Sequence, residues 1–365
     1  MSYSWARRRF QFQASCQRGV SLIELMISLG LGAFMLLGII ALVSSVSKTR
    51  FELAETSDQI ENGRYASFLF QEEIALAGFY GQYHPGPNVA TYTLPDPCMD
   101  ENTAIADFGF SNATPSMPAP VQGYAAGATL PDCIAGTDAG EGHAVSGSEA
   151  LVIRRVATDS VAAASAVSGV AYLQISNCEI DSNPFVFSKT PADFVLRDND
   201  CLNPPVAGAT IVPVWPFVSR TYFLSSCEDC SGDGDGIPTL KVREFINNAA
   251  SIRPLVSGVE DMHFSYGLDL SGDGAPDCYS DNPAASTATT GCASADWSAT
   301  PAENWEDVVA VNIALLVRGG AATDKSDTRS YDLGRAQRIT APDDGYQRRV
   351  FSTVVMVPNV AGARE

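Results

Sequence analysis

The chain has 365 residues and a formal net charge of −19, from 23 Lys and Arg against 42 Asp and Glu. So acidic a chain repels nucleic-acid backbones, and its basic pairs Arg154-Arg155 and Arg348-Arg349 make no stripe, so nucleic acid is excluded as a partner. With 45% hydrophobic residues it is too apolar for disorder, and its scattered His84, His143 and His263 assemble into no Ser/His/Asp set, phosphate loop or paired-acid site, so an enzyme is not expected.

Arg7, Arg8, Arg9 and Arg18 precede an apolar run that reaches Val46. About 20 apolar residues suffice to cross a bilayer as a helix, and basic residues ahead of a first span hold that end in the cytoplasm. A secretory signal has an apolar region of only about 7 to 15 residues. Ser45-Val46-Ser47 has the form of its cleavage site, but the run is too long for one. Glu24 is the anomaly: a carboxylate deep in hydrocarbon costs about 2.5–3.5 kcal/mol even on lenient scales and requires a partner. The span itself supplies none.

Gly19 followed by Val20-Ser21-Leu22-Ile23-Glu24-Leu25-Met26 resembles the prepilin processing signal of type IV pilins and type II secretion pseudopilins. The resemblance implies that a prepilin peptidase cuts between Gly19 and Val20, that the new Val20 amine is methylated, and that Glu24 becomes the fifth mature residue. In a helical stack of subunits, Glu24 of one would face the Val20 amine of another. Two costly groups would neutralise each other and fix register. Residues 1–19 are then a cytoplasmic leader, longer than many in the family and carrying Cys16. Its four arginines leave with it, giving 19 basic against 42 acidic residues, a charge of −23. The alternative is an uncleaved signal anchor with a tolerated Glu.

After the span, residues 47–79 lack proline, and Ile60, Tyr65, Phe68, Leu69 and Leu76 fall near helical spacing. The spacing predicts one helix over 20–80, membrane-spanning over 20–46 and amphipathic beyond, with that stripe partly packed on a head because Glu72 interrupts it. Gly78 and Gly81 supply the stop. Gly30, Gly32 and Gly38 lower helix propensity, serving either local unwinding or close helix contacts. The family's helix-breaking proline is absent, with Ala41 in its place.

From residue 81 to 365, short apolar runs between turn clusters predict a β-rich head. The predicted strands are Leu151–Val156, Tyr172–Ile175, Thr221–Leu224, Thr239–Arg243, Met262–Tyr266, Val308–Val317 and Val350–Val357. Tyr83 to Gly147 and Pro283 to Pro301, rich in small and turn residues, read as long surface excursions.

Outside the leader, eight cysteines form an even set, the pattern of disulfides in an exported protein. The sequential pairing is the expectation: Cys98 with Cys133, Cys178 with Cys201, Cys227 with Cys230, and Cys278 with Cys292. The Cys-x-x-Cys spacing at Cys227 and Cys230 also suits a redox pair or half a zinc site, but no helix follows it and no histidine has companion spacing. Asp269, Ser271, Asp273 and Asp277 occupy positions one, three, five and nine of a loop with Gly274 at six, the spacing of a calcium site, without the glutamate at twelve. The run Asp229 to Gly236 is related. Solvated Asp-Gly turns are the competing reading.

Val256-Ser257-Gly258-Val259-Glu260-Asp261-Met262, Tyr266-Gly267-Leu268-Asp269, the Val308 strand and Arg348-Arg349-Val350-Phe351-Ser352-Thr353 are similar to PilW-type minor pilins, a resemblance that does not extend to Tyr83 to Gly147. The resemblance implies an α+β fold, a long amino-terminal helix packed on a β-rich pilin-like head. It implies a low-abundance subunit that helps initiate type IV pilus assembly and sits at the tip. Its partners would be the prepilin peptidase, other minor pilins and the major pilin. It would cross the inner membrane once with its head in the periplasm, then join the pilus at the cell surface. The alternatives are an adhesin-like binding head and a type II secretion pseudopilin.

Overall fold

The computed structural model describes residues 19–81, 83, 91–113, 115–135, 143–202, 210–289, 291–293, 295, 297–323 and 326–362. The leader expected over 1–19, with Cys16, lies outside them except for Gly19, as does His84. The chain divides into two compact units, Met1–Ala54 and Glu55–Glu365.

One helix, α1, runs Leu22–Leu76. Its stop is local: Gly78 takes φ 72°, a left-handed conformation that a side chain resists, and its N–H bonds to the Arg154 carbonyl at 3.0 Å. Gly81 follows at φ 70°.

In the second unit, β1 (Thr91–Thr93) and β2 (Ser116–Pro118) form a parallel pair. A seven-stranded sheet holds β3 (Val121–Tyr124), β4 (Ala150–Val156), β5 (Tyr172–Ile175), β6 (Phe185–Ser188), β7 (Val214–Ser225), β8 (Thr239–Ile246) and β9 (Ala249–Ser257). Its centre is β7, which pairs with β4 and β5 on one side and β8 on the other. The second sheet contains β10 (Val259–Leu268), β11 (Cys278–Ser280) and β12 (Val308–Arg318). After the small pair β13 (Ser330–Tyr331) and β14 (Ile339–Thr340), β15 (Arg348–Met356) completes it in the order β11-β10-β12-β15. The seven strands expected from apolar runs between turn clusters all form, most of them longer at their ends than expected. The architecture is α+β: a long apolar amino-terminal helix and a β-rich globular domain.

The helix face that packs on the sheets differs from the expected stripe. Gln59, Gly63, Ala66, Phe70 and Ile74 are buried, while Tyr65 and Phe68 are 51% and 54% exposed. The cause is close approach. Gly63 lies against the Phe351 ring of β15, where a Cβ would overlap it, and the Gln59 amide donates to the carbonyls of Val317 and Gln347 at 2.7 and 2.8 Å. Small and hydrogen-bonding residues therefore take the interior face. Phe70 is wedged between the sheets, its ring 5.2 Å from Tyr222 of β7 and 5.6 Å from Phe264 of β10. Gly63→Val is expected to lower head stability by about 1–3 kcal/mol, as overpacking does. Urea unfolding reads the effect, and adding Phe351→Ala should restore part of the loss.

The region from Tyr83 to Gly147 is no mere surface excursion. Its described part buries Met99, Phe108, Phe110, Met117 and Val121. The two phenylalanines join a second core with Phe185, Phe217 and Phe245. Its small-residue composition concealed a few large apolar anchors, which dominate burial.

Candidate assembly site and the buried charges of the head

The apolar part of α1 is uncovered: every residue from Gly19 to Phe51 is exposed. Among the described residues this is the one helix long and apolar enough to cross a membrane. At its start the Leu25 N–H donates to the Ser21 carbonyl at 3.0 Å. Glu24 falls in the first turn, where unpaired N–H groups and the helix dipole favour an anion. Ser28 Oγ donates to the Glu24 carbonyl at 2.7 Å, which leaves the carboxylate uninvolved in that bond. Gly19 and Val20 precede the helix and are exposed. Helix continues unbroken through Gly30, Gly32 and Gly38, with no atom within 4 Å of an added Cβ.

The loop read as a calcium candidate, with Asp269, Ser271, Asp273 and Asp277, is closed by hydrogen bonds from its own backbone to its aspartate side chains, as an Asp-Gly turn is. Asp269 is fully buried and accepts from the N–H groups of Gly272, Asp273 and Gly274 at 2.7–3.1 Å. Ser271 Oγ faces Asp269 Oδ1 at 3.4 Å, Asp277 Oδ2 accepts from the Leu270 and Ser271 N–H groups at 2.8 Å, and Asp273 accepts from Ala275. The oxygens are committed to the turn. In the related loop, Asp235 accepts from Glu228, Asp229 and Ile237. Among the described residues no three His, Cys, Asp or Glu side chains gather as metal ligands.

The eight described cysteines form four bridges, Cys98–Cys133, Cys178–Cys201, Cys227–Cys230 and Cys278–Cys292. Each closes a local loop of the head and so restricts the unfolded chain.

Of the basic pairs, Arg154, Arg155 and Arg348 are buried, and only Arg349 is exposed. Arg154 is fully buried and donates to the carbonyls of Ala119 and Pro95 and to Gln122 Oε1. Burial pulls its pKa down to about 10, against the opposing pull of Tyr80, Tyr124 and Asp96. Arg155 and Arg220 flank Glu73 of α1, and Arg220 also pairs with Glu244. Arg348 pairs with Glu260 and Asp344, which hold it charged well above the ordinary arginine range. Side-chain bonds to Arg329 and Tyr331 outweigh burial and hold Asp327 below the ordinary carboxylate range.

The residue that sequence reasoning missed is Glu149. It is 3% exposed just before β4, and it accepts from the Phe264 N–H at 2.9 Å and from Arg335 Nε at 3.1 Å. Its Oε1 lies 2.9 Å from His263 Nδ1, and Asp281 Oδ1 faces the other ring nitrogen at 3.4 Å. Arg335 also forks onto Asp261 at 2.9 and 3.0 Å. Burial alone would lower the pKa of His263, but Asp281 and Glu149 override it and push it up to about 9. The network ties β4, β10 and the segment between β13 and β14. No motif announces it, because its members are scattered from residue 149 to residue 335.

Residues 221–359 match the family described as Type IV Pilus-assembly protein W, and residues 14–40 match the prokaryotic N-terminal methylation motif. The first match contains the second sheet, and the second contains Gly19 to Glu24. Among solved structures the chain is similar to a type IV-like pilin from Thermus thermophilus, at 13% identity over 59% of this chain and 80% of that one, with a TM-score of 0.22. No curated protein matches. The two family matches support a PilW-type minor pilin, a pilus-related subunit that carries the N-terminal methylation motif.

Proposed function

We propose that this PilW-type minor pilin is cut after Gly19 by a prepilin peptidase, methylated at Val20, held in the inner membrane by α1 with its head in the periplasm, and then built into a pilus through the same helix. The observation that carries this reading is the uncovered apolar stretch of α1 with Glu24 in its first turn. An exposed apolar surface of that length needs lipid or other helices around it. Glu24 then needs a positive partner, and the Val20 amine of a neighbouring subunit supplies one at the cost of only the amine's own burial. In this reading the head, too large for a repeating shaft, sits at the tip and helps to initiate assembly with other minor pilins and the major pilin. The protein acts as a structural subunit.

Mass spectrometry of the mature chain tests the processing: the amino terminus is expected at Val20, monomethylated. A chain that retains residues 1–19 in a strain with active prepilin peptidase would remove the proposal. Deleting the protein is expected to reduce surface pili while leaving type II secretion unchanged. The opposite result would assign it to a secretion pseudopilus.

A further inference from the structure

We propose that Cys227–Cys230 is a thiol-exchange site, a disulfide opened by an external dithiol with Cys227 as the attacked sulfur and Cys230 as the leaving thiolate. The bridge sits in the loop between β7 and β8. Its two sulfurs are unequal. Cys230 is 8% exposed, while Cys227 is half-buried and the more accessible of the two residues. On the buried side, Lys241 of β8, itself 2% exposed, brings Nζ to 3.2 Å from Cys230 Sγ. Ser225 Oγ lies 3.6 Å from each sulfur. The register of β8 on β9 shifts between Leu240 and Lys241, and a bulge of this kind re-aims the side chain beside it.

The chemistry follows from this asymmetry. A thiolate of the external dithiol attacks Cys227 Sγ and forms a mixed disulfide there. The bond between the cysteines breaks, and its electron pair goes to Cys230 Sγ, whose negative charge is met by the Lys241 ammonium. The second thiol of the dithiol, as its thiolate, then attacks its own sulfur in the mixed disulfide, releasing Cys227 as a thiolate that takes up a proton and leaving the reagent as a cyclic disulfide. The protein bridge is reduced by two electrons and the dithiol is oxidised by two. A lysine beside a sulfur lowers the pKa of the thiol it would become, and a leaving group of lower pKa departs faster.

The test uses the full chain in detergent. Treatment with limiting dithiothreitol, alkylation and peptide mass spectrometry should find Cys227 and Cys230 labelled before the other six bridged cysteines. A single-thiol probe, 2-mercaptoethanol, should leave its adduct on Cys227. Lys241→Met should slow opening by about tenfold, and Lys241→Arg should restore most of the rate. Opening no earlier than Cys278–Cys292, or an adduct on Cys230, would overturn the proposal in the unsubstituted protein. So would an unchanged rate in the methionine variant.

Discussion

Replacing Glu24 by alanine is expected to remove the protein from pili while leaving its head folded. Within a stack of helices the Val20 amine of a neighbouring subunit would lose its counter-charge in a medium without water. Breaking a buried pair by deleting one partner costs about 3–5 kcal/mol, which as an association constant is a loss of roughly a hundredfold to several thousandfold. Glutamine should fail nearly as badly, since it keeps the shape without the charge, and aspartate should recover part of the function. The measurement is the ratio of the protein in sheared pili to that in membranes, by quantitative immunoblot. Thermal unfolding of the head should be unchanged, because Glu24 is exposed and lies in the first compact unit, outside the head. Wild-type incorporation of the alanine variant would sink both the pairing and the assembly role given to α1.

The second large effect is in the head. Glu149→Ala takes the buried counter-charge from Arg335 and a protonated His263, leaving them only Asp261 and the exposed Asp281, and leaves the Phe264 N–H without its acceptor. The expected loss is about 3–5 kcal/mol of unfolding free energy, by urea titration of the full chain. A pH dependence accompanies it. The folded pKa of His263, about 9, lies above its ordinary 6.5, so folding favours the protonated ring. The stability this supplies is complete below pH about 6.5 and is lost as pH climbs through about 9. Glu149→Gln, which keeps hydrogen-bonding capacity but removes the charge, should flatten the unfolding midpoint across that window. If the wild-type midpoint is level from pH 6.5 to 9.5, the network does not act as described.

The strands that apolar runs between turn clusters revealed are those whose side chains face a core on one side or both, such as β12, a run of β-branched and apolar residues. The strand β9 escaped because its signals are tertiary. It begins after Asn247 and Asn248, both at positive φ, and carries Pro254, which an edge strand tolerates because one side of it needs no ladder bond. The lower face of α1 was misjudged for a similar reason. Hydrophobicity selected Tyr65 and Phe68, whereas the sheet selected Gly63 for its lack of a side chain and Gln59 for its amide. The spacing at Asp269 to Asp277 does not by itself separate a calcium site from a turn, because oxygens at those intervals serve a turn's own amides equally well.

By itself the sequence determined the long helix, because an unbroken apolar run can satisfy its backbone in lipid only as a helix, and it located Glu24 as the one charge in that run. It also determined the α+β class, since periodicity is a property of neighbours along the chain. Only the tertiary structure decided which face of α1 meets the sheets, and that Arg154 and Arg348 turn inward. It alone decided that Glu149, His263 and Arg335 share one buried site. Those outcomes depend on close approach and on charges brought together from distant positions, and neither leaves a local pattern to read.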